Sequence, residues 1–172
     1  MDLSVVVPTL NGRDRLGACL DALGAHAPDA EVIVANGPSA DGTTGMVRDR
    51  DDVDVLVEIS DRTVNVARNA GIEVATGDAV ALVDYDNRIG ERWLDAVRAG
   101  LADADAVTGP VTPIEPSRGT GEAGENDDAD ADDPPTGPER RTIRGRDVTY
   151  FAGGNVAFRR ETLRDLDGFD EY

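Results

Sequence analysis

Lysine is absent from these 172 residues, so all 17 basic side chains are arginines, and they face 35 acids. The resulting net charge of -18 argues against nucleic acid or an anionic membrane surface as a direct partner, because phosphates would be repelled. Cysteine occurs once, at Cys19, which excludes an internal disulfide and any zinc site built from cysteines. Long hydrophobic runs are missing too. No apolar stretch approaches the roughly 18 residues needed to span a bilayer, and the opening Met1-Asp2-Leu3-Ser4-Val5 has no basic leader. The chain therefore reads as soluble and cytoplasmic. A lysine-free, Ala- and Asp-rich acidic chain repels itself in dilute buffer. That repulsion is screened over about 3 Å near 1 M salt, against about 10 Å at 0.1 M, so the composition looks like adaptation to a salt-rich cytoplasm.

What is present alternates between two periods. Short apolar runs at 3–7, 31–35 and 79–83 read as strands, and 54–58 as a strand by alternation of Val and Leu with acids. Between them, 13–25 carries Leu16, Cys19, Leu20 and Leu23 at helical spacing, 43–50 reads as a short helix, and 63–75 as a helix with Val66, Ala67, Ala70 and Val74 on its buried side. A helix at 91–101 with Trp93, Leu94, Val97 and Leu101 follows, then a short strand at 106–108. Such alternation predicts an α/β fold with a mostly parallel sheet and helices on both sides. The fully apolar strands fit burial on both faces. From 113 to 138 almost nothing is apolar, and this stretch is expected to be a mobile acidic loop within a single domain spanning 1–172. Core-like sequence resumes at 148–151, and a last helix is expected at 160–166.

The strongest local signal is Ala81-Leu82-Val83-Asp84-Tyr85-Asp86-Asn87. Two carboxylates at the C-terminal end of a buried strand emerge at the ligand-binding edge of an open α/β sheet. Asp84 and Asp86 are hard oxygen ligands suited to Mg²⁺ or Mn²⁺, ions that keep waters and phosphate oxygens in their shell. Taken alone, the pair could also simply end a strand in an acid-rich protein. Its context is a series of strand-to-helix turns: Val7-Pro8-Thr9-Leu10-Asn11, then Ala35-Asn36-Gly37-Pro38-Ser39-Ala40-Asp41-Gly42-Thr43, then Ala67-Arg68-Asn69-Ala70-Gly71. Near the end stand Gly153-Gly154-Asn155-Val156-Ala157-Phe158 and Gly168-Phe169-Asp170-Glu171.

In this order and spacing the series resembles the family-2 glycosyltransferases of GT-A fold, which use nucleotide-diphospho-sugars. The resemblance implies an inverting transfer of sugar to a hydroxyl of a glycan, lipid-linked or protein acceptor, with peripheral membrane association through the acceptor. It implies that Thr9 lies near the nucleobase, and that Asn36, where the family usually has Asp, contacts the base or ribose. It implies that Arg68 lies by the base or diphosphate, and that Asp84 and Asp86 hold the divalent metal. Asp41 is a donor contact or, equally, a turn residue at a helix start. The resemblance also implies a general base in an acidic pair shortly after Gly168-Phe169-Asp170-Glu171. The sequence ends at Tyr172 before such a pair, so Asp170 and Glu171 are not given that role. The alternative is therefore a catalytically inactive nucleotide-sugar-binding fragment or split-gene product. A nucleotidyltransferase fits less well, since Pro8-Thr9-Leu10-Asn11-Gly12-Arg13 is not a glycine-rich triphosphate loop. A dinucleotide-binding domain lacks its Gly-x-Gly-x-x-Gly.

Overall fold

The structure, a computed structural model, describes residues 1–111, 139–143, 146–150 and 154–171. The acidic loop expected at 113–138 lies outside the described residues. Four strands run in parallel: β1 (Leu3–Thr9), β2 (Glu31–Asn36), β3 (Val55–Glu58) and β4 (Ala79–Val83). Helices α1 (Arg13–His26), α2 (Thr43–Arg48) and α3 (Val64–Val74) connect them, and α4 (Trp93–Asp103) leads from β4 to β5 (Ala106–Thr108). A separate antiparallel pair, β6 (Glu139–Ile143) with β7 (Arg146–Tyr150), precedes β8 (Asn155–Arg159) and α5 (Arg160–Asp165). The sheet order is β3-β2-β1-β4-β8-β5, with β8 antiparallel to both neighbours. Among the described residues no helix is long and apolar enough to cross a membrane.

Strand alternation divides the core into two layers. Leu3, Val5 and Val7 of β1 and Ala79, Ala81 and Val83 of β4 face Leu16, Cys19, Leu20 and Leu23 of α1 and Leu94, Val97 and Leu101 of α4. Val6, Val80 and Leu82 point the other way, with Ile33, Val156, Ala75 and Leu163. Each fully buried Leu or Val contributes about 1.5–3 kcal/mol relative to exposure. Helices on both faces explain why β1, β2 and β4 are apolar without interruption.

Helix α3 corrects one sequence expectation. Its buried positions are Ala67 and Gly71, while Val74 is exposed and Val66 half-buried. The reason is close approach: a Cβ on Gly71 would overlap Val6 of β1. Small residues let α3 lie tightly on the strand, which brings its polar residues within reach of the sheet's C-terminal edge.

Candidate functional site

Parallel pairing puts the ends of β1 and β2 together, with Thr9 opposite Asn36 in register. Strand β4 ends on the same edge at Val83, and the antiparallel β8 begins there, with Asn155 opposite Val83. Asp84 and Gly154 are thereby brought to the edge that carries Thr9 and Asn36. Chain connections leave β1 towards β2 on one side and reach β4 on the other, so this edge lies at the switch point where open α/β sheets bind ligands.

Asp84 continues the alternation of Val80 and Leu82 and so faces α3. Arg68 Nη2 donates to Asp84 Oδ1 at 3.3 Å, and Arg68 Nη1 donates to Asn65 Oδ1 at 3.2 Å. The guanidinium carbon also lies 5.6 Å from the centre of the Phe169 ring, within cation–π range. On its other side Asp84 meets Gly154. A Cβ on Gly154 would overlap Asp84 Oδ2 and lie 2.8 Å from Asn87 Nδ2, so only glycine fits beside the carboxylate. The β4–β8 junction is fixed by Asp84 N and Asn87 Nδ2, which both donate to the Gly154 carbonyl, at 3.1 and 2.6 Å. Asp86 has left the strand and stands 3.7 Å from Arg15 of α1. Arg15 and Tyr85 line a cavity of about 380 Å³ together with Asn11, Gly12, Arg13 and Asp41.

The other expected contacts are placed as follows. Thr9 is buried, and its hydroxyl has no hydrogen-bond partner among the described residues. Asn36 is buried with both ends of its amide engaged: Nδ2 donates to Thr44 Oγ1 at 2.8 Å, and Oδ1 accepts from Ser39 Oγ at 2.7 Å. Its side chain holds the Asn36-Gly37-Pro38-Ser39 turn in shape. Asp41 accepts from the Thr43 amide and hydroxyl at 3.1 and 2.6 Å and from the Arg13 amide at 3.1 Å. It thus ties the starts of α1 and α2 together, and the Thr43 hydroxyl, followed by the Arg13 amide, lowers its pKa. Cys19 is buried below the motif, where its thiol donates weakly to the Asp84 carbonyl at 3.9 Å. Burial, helped by the nearby Asp86 and Asp84 carboxylates, pushes the thiol pKa up to about 12, so it stays protonated and unreactive.

Against this geometry, the family model for glycosyl transferase family 2 matches residues 4–167. The chain belongs to that family. Glycosyltransferase AglE of Haloferax volcanii is 30% identical over 127 residues, covering 69% of this chain and 42% of that protein. A poly(ribitol-phosphate) beta-glucosyltransferase of Bacillus spizizenii is 29% identical over 115 residues, 60% of this chain and 18% of its own length. Among solved structures, S. aureus TarS 1-349 in complex with UDP superposes with a TM-score of 0.72 at 22% identity, over 99% of this chain and 51% of that one. The mannosyltransferase PcManGT from Pyrobaculum calidifontis in complex with GDP-Man and Mn²⁺ gives a TM-score of 0.68 at 24% identity, over 98% and 47%. These likenesses establish the GT-A fold. The chain spans 42% or less of the two curated relatives and about half of the two solved ones.

Within this family frame, sequence reading missed Asn65 and Asn69. Asn69 Nδ2 donates to the Phe169 carbonyl and to Glu171 Oε1, both at 2.8 Å, and its Oδ1 accepts from the Phe169 amide at 2.9 Å. Asn65 Nδ2 donates to the Asp170 carbonyl at 2.6 Å. The polar face of α3 therefore clamps the Gly168-Phe169-Asp170-Glu171 segment and sets the Phe169 ring against Arg68. The only signal available was the presence of amides at i and i+4 on one helix face. Among the described residues, no third His, Cys, Asp or Glu joins Asp84 and Asp86 as a metal-holding cluster. Two carboxylates alone suit an ion that completes its shell with water and phosphate oxygens.

Proposed function

We propose that this chain forms the nucleotide-sugar-binding part of an inverting, divalent-metal-dependent glycosyltransferase. The observation that carries the reading is the Asp84–Arg68 pair, with Asp86 two residues beyond it, at the switch-point edge of a GT-A sheet. Asp84 and Asp86 would hold Mg²⁺ or Mn²⁺, which when bound supplies Lewis-acid neutralisation of the leaving diphosphate. The turns at Thr9 and Asn36 shape the nucleoside end. Asn36 acts there by holding its turn. Arg68 supplies a fixed, fully charged donor fork matched to phosphate oxygens. Asp170 and Glu171 are not assigned the base that inversion requires, since they precede the place where the family carries it.

Calorimetry in concentrated salt tests the reading. UDP or GDP is expected to bind the chain with Mn²⁺ present and not with chelator. Asp86→Ala is expected to remove that binding while leaving the melting temperature within a few degrees. Binding of nucleoside diphosphate that is indifferent to metal, or none with metal present, would overturn it. Incubation of the chain with nucleotide-sugar and acceptor separates transfer from binding alone.

A further inference from the structure

Each carboxylate of Asp84-Tyr85-Asp86 has an arginine beside it, yet the two arginines differ in kind. Arg15 is 71% exposed at the side chain, whereas Arg68 is 13% exposed. Asn65 and the Phe169 ring hold the Arg68 guanidinium in place, and Asn65 and Asn69 tie down the segment that carries the ring. Asp84 has little room to turn away from it, because its second oxygen lies against Gly154. A divalent cation approaching Asp84 therefore meets a carboxylate already neutralised by a fixed positive charge. Cation and guanidinium are like charges competing for one carboxylate, and a bound diphosphate relieves the competition by taking up the guanidinium.

On the footing of the donor site proposed above, we propose that Arg68 is the internal counter-ion of Asp84 and makes cation binding conditional on the donor's diphosphate. Phosphate oxygens would draw the guanidinium off Asp84 Oδ1 and would themselves serve as ligands to the cation. Arg68 would then pair with phosphate, and the freed Asp84 carboxylate oxygen would be left to hold the metal. No bond is made or broken. One positive charge is exchanged for another at Asp84, and the diphosphate takes the one displaced. Arg68 is thus a positioning residue with two alternative partners, and it couples the cation to the nucleotide through binding free energy.

The test uses the full chain and Mn²⁺, whose free-ion electron paramagnetic resonance signal reports binding directly. Wild type is titrated with Mn²⁺ alone, then with Mn²⁺ and UDP or GDP. The same titrations are run on Arg68→Gln, Arg68→Met and Arg68→Lys. Both neutral variants are expected to bind Mn²⁺ alone at least about 5-fold more tightly than wild type, the lower end of ordinary site–site coupling. They are expected to bind the diphosphate with Mn²⁺ more weakly by a similar factor. Arg68→Lys keeps the charge and should leave Mn²⁺ alone bound as weakly as in wild type. Arg68→Met keeps the apolar stem against Phe169 and supplies the reading should the Gln variant fail to fold. A general loss of structure would weaken both affinities together, whereas the proposal requires them to move in opposite directions. Unchanged or weaker Mn²⁺ binding in the neutral variants, with metal-dependent diphosphate binding intact in wild type, overturns this coupling and leaves the donor site standing. Absence of metal-dependent diphosphate binding in wild type overturns both.

Discussion

Asp84 and Asp86 stand two residues apart in one motif, yet the fold holds them differently. Asp84 still follows the strand's alternation, so it faces α3, where Arg68 is largely withdrawn from water. Asp86 lies past the strand end, 46% exposed, and pairs with the solvent-facing Arg15. An exposed ion pair is worth about 0–1 kcal/mol, since water and ions screen it and two flexible side chains must be ordered. A pair with one partner desolvated acts differently, because removing the carboxylate leaves a shielded cation with less solvent to compensate it. The contrast teaches that the motif divides its work: one carboxylate is held by a largely shielded arginine, while the other is paired only with a solvent-facing one.

Overfilling the Asp84 side should give the largest effect. Gly154→Ala puts a methyl group on the carboxylate and on Asn87. It should cost about 1–3 kcal/mol, the usual range for overpacking, and weaken metal-dependent nucleotide binding together with stability. Gly90→Ala, in the loop beyond Asp86, places its methyl in open space and should stay within about 0.5 kcal/mol. Denaturant melts of both variants decide this, and equal costs would erase the distinction between the two ends of the motif.

Smaller, and directly comparative, is removal of each carboxylate. Asp84→Ala strips Arg68 of one of several partners and should cost about 1–2 kcal/mol, towards the low end for a buried charged group losing a partner. Asp86→Ala should cost less than about 0.5 kcal/mol. Both should abolish Mn²⁺-dependent nucleotide binding. Equal stability losses would mean that Arg68 does not depend on Asp84.

The parts of this arrangement legible in the sequence are those written in local periodicity. β1, β2 and β4 are apolar throughout because both faces are covered, and Leu16, Cys19, Leu20 and Leu23 stand at helical spacing. Asp84 at the end of β4 follows from the same pattern. β8 was less visible. Asn155–Arg159 is short and ends in arginine, and nothing local says that it inserts antiparallel between β4 and β5. Strands β6 and β7, rich in charge, gave no strand signal either. Helix α3 was found, but with the wrong buried positions, because periodicity counts large apolar residues while close packing on Val6 selects Ala67 and Gly71. Asn69 was illegible for a related reason. Its partners Phe169 and Glu171 lie about 100 residues away, a distance in sequence that no local pattern records.

The smallest expected effect concerns the outer arginine and is the cleanest measure of how the two ends of the motif differ in solvent. Arg15→Gln removes a contact of 3.7 Å between exposed groups, so at low salt it should cost no more than about 0.5 kcal/mol. Near 1 M salt the Debye length falls to about 3 Å, and the difference from wild type should vanish. Over the same series the wild-type melting temperature should climb, because a chain of net charge -18 repels itself least when screened. The gap between wild type and Asp84→Ala should persist throughout, since a pair with one partner withdrawn from water is screened much less. Thermal melts of the three proteins across a salt series provide the measurement. A gap for Arg15→Gln that survived high salt would show Asp86 to be as firmly held as Asp84. A gap for Asp84→Ala that closed with salt would show the inner pair to be as loosely held as the outer one. Convergence of the two variants in either direction would remove the division of labour between the carboxylates.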